Sequence, residues 1–149
     1  MNPGLTPADA AWLACAIDSE GSICATRARR RGGSQMIVSP RVMVANTHQG
    51  YIDRAATIVS ATGATPHVRV GHRGANYPVL RVEVQSQRDV ALLLHAVRDW
   101  LIIKHERADA LLDWIAAREV ARRSRPGRGG GTPYGPETDR LLAVFTRKA

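Results

Sequence analysis

Two carboxylates, Asp18 and Glu20, close an apolar stretch, with Ser19 between them and Gly21 immediately after. Carboxylate oxygens suit a hard divalent cation such as Mg2+. Beside a phosphate, such an ion neutralises charge and activates water for phosphodiester hydrolysis. Cutting both strands of a duplex needs two such centres side by side. A helix of small residues packed against a copy of itself would bring its two acidic ends together.

The elements that would position these acids follow from the pattern. Thr6-Pro7-Ala8-Asp9 is a helix start, with Thr6 able to cap, Pro7 at the first helical position and Asp9 facing the helix dipole. All eight residues from Ala10 to Ile17 are apolar and mostly small. Such a helix is buried on several sides, and in so small a chain a second copy could cover one of them. After Gly21 the period becomes two. Ser22, Cys24 and Thr26 alternate with Ile23 and Ala25, giving a strand to about Arg30. Beyond the Gly32-Gly33-Ser34 turn, Val38, Val42 and Val44 share one face of a second strand, and Ser39, Arg41 and Met43 share the other. Ile52, Ala55, Ala56 and Val59 mark a helix ended by Gly63. Two more strands set Val68, Val70, Leu80, Val82 and Val84 against His67, Arg69, Arg81 and Glu83. Helices follow over Gln87–Asp99 and from about Lys104 to Arg123. The expected organisation is an α+β domain over 1–123, a flexible basic Gly/Pro-rich linker over 124–136, and a short C-terminal helix over 137–149.

Charge narrows the partner. The net value is +8, and from Gly21 to Val82 nine arginines face a single acid, Asp53. That imbalance implies a polyanion, most simply nucleic acid. One open sheet face would carry Ser22, Cys24, Thr26, Arg30, Ser39, Arg41, Met43, His67, Arg69 and Arg81. Such a mixture of basic, polar and apolar groups can read base edges and thymine methyls in the major groove. No apolar run is long enough to span a membrane. The two cysteines make neither a disulfide framework nor a zinc pair. A soluble, cytoplasmic protein is expected.

From Leu13 to Ile23 the segment Leu-Ala-Cys-Ala-Ile-Asp-Ser-Glu-Gly-Ser-Ile resembles the LAGLIDADG homing endonucleases, of the single-motif, homodimeric type. The resemblance implies an αββαββα fold with a four-stranded antiparallel, saddle-shaped sheet and helices on one face. It also implies a site-specific double-strand break in a long pseudo-palindromic DNA target, leaving short 3′ overhangs, in the service of intron or intein mobility. By position, Glu20 matches the family's metal-binding acid, the Ser19 carbonyl its backbone ligand, and Asp18 its structural acid. Trp12, Leu13, Cys15, Ala16 and Asp18 would then form the dimer interface. Cys15 and Ser19 depart from the pattern, standing where glycine, and glycine or alanine, are usual. Trp100 to Arg107 resembles the segment carrying an active-site lysine, here Lys104, in a chain with nineteen arginines and two lysines. Asn46 matches a water-positioning amide, and is equally a turn-forming Asn before a helix.

Two alternatives use other features. A non-cutting relative, acting as an intron maturase on RNA or as a DNA-binding regulator, would keep the fold while the acids lost their role. A His-Asn-His nuclease, suggested by Asn46 and His48, would need a ββα-metal unit with spaced histidines that the sequence lacks.

Overall fold

The computed structural model describes residues 4–29, 32–33, 36–72, 78–124 and 134–146. The chain runs α1 (Pro7–Glu20), β1 (Gly21–Arg29), β2 (Met36–Asn46), α2 (Gln49–Ala61), β3 (His67–His72), β4 (Pro78–Val84), α3 (Gln87–Val97), α4 (His105–Arg123) and α5 (Pro136–Thr146). A 3-10 turn over Arg98–Trp100 ends the third helix earlier than the expected Asp99. Arg30, expected at the end of the first strand and on its open face, lies outside the described residues.

The strands form one antiparallel sheet in the order β1-β2-β4-β3. The helices cover one face, because alternation sends Ile23, Val38, Val42, Val44, Leu80, Val82 and Val84 to that side. There they meet Leu13 and Ile17 of α1, Ile52 and Val59 of α2, and Leu93 of α3 in one core. Trp114 of α4, not anticipated as a core residue, is buried there too. The edge strand β3 overhangs this layer: Val68 and Val70, on the helix side by pattern, are 51% and 60% exposed.

Local chemistry sets the helix starts. Thr6 Oγ1 accepts from the Asp9 amide, satisfying one of the unpaired N–H groups of the first turn, and donates to the Asp9 carboxylate. Ser86 caps α3 the same way, through the Asp89 amide. Gly63 takes a positive φ of 88° just beyond α2, as a chain leaving a helix through glycine does.

Gly21 is required for a different reason. Its φ of −111° is open to any residue. A β-carbon there would sit 2.6 Å from the Met43 carbonyl and 2.8 Å from the Ile17 α-carbon. The residue joining α1 to β1 is small because β2 and α1 both press against it.

Two expectations are corrected. Leu13 and Ala16 are 0% and 3% exposed within the subunit's own core, so neither lies on an open helix face for a second copy. Tyr134 and Gly135 are not free linker. The Tyr134 hydroxyl accepts from the Val38 amide (2.9 Å), beyond the end of the β2–β4 pairing. Its ring lies under the Arg118 guanidinium and stacks with Trp114. Leu141 of α5 joins the same core, and the Trp114 indole donates to Thr138. The linker's central residues 125–133 lie outside the described residues.

Candidate active site and nucleic-acid interface

The C-terminus of α1 and the loop before α4 lock together reciprocally. Asp18 accepts three successive backbone N–H groups, from Ile102 (2.7 Å), Ile103 (3.1 Å) and Lys104 (2.9 Å). Three amides converging on one carboxylate form an anion-binding concavity. In return the Lys104 ammonium donates to the carbonyls of Ile17 (2.7 Å) and Asp18 (2.5 Å). A cation on the last carbonyls of a helix is also where the helix dipole favours it. Burial alone would raise the Asp18 pKa; the three amides and Lys104 outweigh it and hold the carboxyl below its ordinary value. Burial lowers the Lys104 pKa, opposed by Asp18 and assisted by Arg107.

Glu20, the other acid, is left free. It is exposed, and no hydrogen bond or ion pair to it occurs among the described residues. Ser19 is also exposed, and its hydroxyl donates to the Cys15 carbonyl (2.8 Å). Tyr51, which sequence reasoning missed, enters from α2. Its pKa is raised by burial, by the charge of Glu20 and by Cys15, while a hydrogen bond with Ser19 pulls the other way. The signal available in sequence was only an aromatic residue in the first turn of a helix. Asn46 ends β2, two residues past the Gly21–Val44 pair, at the sheet end where α1 delivers Glu20. Its amide oxygen is committed to the His48 N–H (2.8 Å), so the turn-forming reading describes that atom. His48 in turn caps α2 through Nδ1.

The donor set fits a divalent cation in part. Glu20 and the Ser19 carbonyl are hard oxygen donors. Among the described residues no three His, Cys, Asp or Glu side chains converge to hold a metal. The remaining oxygens would come from beyond the described residues, such as water, a phosphate or a second subunit.

The register assembles the second surface. Ser22, Cys24 and Thr26 stand opposite Met43, Arg41 and Ser39. Met43 and Ala45 stand opposite Glu83 and Arg81, which stand opposite His67 and Arg69. Directly opposed residues share a face, so these side chains all lie on the side away from the helices. Arg41 has a buried Nε with no hydrogen-bond partner among the described residues. Glu83, an acid amid this basic surface, is nearly fully buried.

A third surface adjoins the first. Along α1, Ala8, Cys15 and Ser19 are exposed and Ala11 and Trp12 half-buried, at helical spacing. Trp12 packs on Tyr51, and Arg54 lies over its ring. Next to this stripe, on the loop that Asp18 holds, Ile102 and Ile103 are 80% and 72% exposed, with Trp100 47% exposed. Adjoining exposed apolar groups of this size mark contact surfaces. No helix among the described residues is long and apolar enough to cross a membrane.

Compared by sequence, the chain matches no family model and no curated protein. Its structure is similar to that of the homing endonuclease I-CvuI in complex with its DNA target, with a TM-score of 0.59 at 17% identity over 93% of this chain and 95% of that one. It is similar to the homing endonuclease I-TnaI, with a TM-score of 0.59 at 13% identity over 91% and 84% of the two chains. It also resembles the LAGLIDADG homing endonuclease I-SmaMI bound to cleaved DNA, with a TM-score of 0.64 at 10% identity over 95% of this chain and 43% of that one. The fold is the LAGLIDADG endonuclease fold.

Proposed function

We propose that this chain is a site-specific DNA endonuclease that makes a double-strand break as a homodimer. The observation that carries the reading is the position of Glu20. It is an exposed carboxylate with no hydrogen-bond or ion-pair partner among the described residues, at the junction of the open α1 stripe and the polar sheet face. The fold shared with DNA-bound homing endonucleases supports the same conclusion.

Each part then has a task. The stripe of Ala8, Ala11, Trp12, Cys15 and Ser19, with Ile102 and Ile103, faces the same stripe of a second copy about a two-fold axis. This sets the two Glu20 carboxylates near that axis, one for each strand. The sheet of each subunit lies in the major groove of one half-site, and the spacing of half-sites follows the helical repeat. Glu20 and the Ser19 carbonyl would hold Mg2+, which supplies charge neutralisation at the scissile phosphate and an activated water. The Asp18–Lys104 lock fixes the helix end that presents these two donors. Lys104 acts on the site chiefly by holding the carbonyls just before Ser19, with one ammonium N–H left for the phosphate or its water. Arg41, Arg69 and Arg81 contact the duplex from the sheet, so binding weakens steeply with salt.

Glu20→Gln is the direct test. The variant should bind the selected duplex as the wild type does and fail to cut it with magnesium present. Cleavage that survives in this variant would refute the assignment. A wild-type chain that sediments as a monomer on its target would remove the second cutting centre.

A further inference from the structure

Glu83 is out of place on a face meant for a polyanion, and its surroundings explain why it is there. Its side chain is only 4% exposed and forms an ion pair with Arg69, whose own side chain is 62% exposed, at 3.4 Å between Arg69 Nε and Glu83 Oε2. The same oxygen accepts from Gln85 Nε2 (2.8 Å). A carboxylate so covered cannot itself accept from a base. It engages Nε of Arg69, the inner nitrogen, on a side chain that is largely exposed, and no ion pair or hydrogen bond to the two outer nitrogens occurs among the described residues. That pair of parallel donors matches O6 and N7 of guanine in the major groove. The neighbouring arginine does not share the position. Arg81 stands directly opposite Arg69, and its guanidinium lies over Gly71, where a β-carbon would come within 3.2 Å of Nη2. The two like charges therefore diverge along the strand, one toward Glu83 and one over Gly71.

We propose that Glu83 is a specificity-determining positioning residue that holds Arg69 as a guanine reader at one position of each half-site. The inference rests on the DNA-binding reading above. Without Glu83, the flexible guanidinium is free to swing to the phosphate backbone. Discrimination falls while affinity for DNA in general does not, because a negative charge has left the binding face.

The experiment selects bound duplexes from a randomised pool, without divalent cation, using the full chain and its variants. The wild type should enrich one strong guanine position per half-site, preferred on the order of tenfold or more. Arg69→Lys, on an exposed side chain that keeps its charge but loses the fork, should flatten that position alone. Glu83→Gln should flatten the same position, with general affinity unchanged or raised. In the Arg69→Ala background, Glu83→Gln should have no further effect on base preference, since a residue acting through Arg69 has nothing left to position. A guanine preference untouched by Arg69→Lys overturns the proposal. So does a Glu83→Gln effect that persists without Arg69 or falls on all positions equally. If the wild type enriches no sequence, the DNA-recognition reading itself fails and this inference with it.

Discussion

Asp18 and Glu20 sit two residues apart and have opposite fates. Asp18 is consumed by three amides of its own chain; Glu20 has none among the described residues. Removing the Asp18 charge should therefore act on stability. Asp18→Asn should destabilise the fold by about 1–2 kcal/mol, the usual effect of losing a charged cap of backbone N–H groups. The pH dependence has a definite sign. A carboxyl held lower when folded than when unfolded stabilises the fold fully above the ordinary aspartate value of about 3.9. That contribution is lost as pH falls through the depressed folded value. Denaturant melts taken down the acid range should show the wild type losing more stability than Asp18→Asn; equal losses would refute the role of this carboxyl. The paired acids were visible in sequence, but not that Asp18 binds a loop more than eighty residues away, since contacts across such a separation leave no local pattern.

Among elements, α1 carries the most legible signal and the least legible orientation. Its uniformly apolar run implied burial on several sides, yet an even distribution gives no phase. The sequence therefore could not say that Leu13 and Ala16 face inward while Cys15 faces out. The strands were easier, because a period of two assigns faces without ambiguity, and Ser22, Cys24, Thr26, Ser39, Arg41, Met43, His67, Arg69 and Arg81 all fall on one side. Strand order was not written in that alternation, and with it went the significance of Glu83. Two α1 helices crossing on an axis at their small-residue stripe would bring the two Cys15 thiols together. Mild oxidation should then link the wild-type chain into a covalent dimer on a non-reducing gel, within the α-carbon separation of roughly 4.4–6.8 Å that a disulfide spans. Cys24→Ser should link as well, and Cys15→Ser should not. Linking through Cys24 would show that the sheet, rather than α1, is the contact.

At the scale of the molecule, one core takes in the last described helix. Leu141 shares the main core, and the Tyr134 hydroxyl accepts from the Val38 amide of β2. Leu141→Ala should cost about 2–5 kcal/mol, as for other large-to-small changes in a closed core, and should lower a single melting transition. A separate early transition, with the main one unmoved, would make α5 an independent appendage. Composition could not reveal this docking, because glycine and proline around Tyr134 read the same whether a segment is loose or merely irregular. The opposite edge of the sheet has the opposite character. Among the described residues β3 pairs only with β4, and each residue from His67 to Val70 is exposed on whichever face it occupies. Substitutions there carry little penalty for folding, whereas those on β2 or β4 must also satisfy the core. The strand bearing Arg69 is thus the part of the protein freest to drift. If the sheet reads DNA as proposed, a directed-evolution library confined to these six codons should yield new target preferences while the scaffold stays intact.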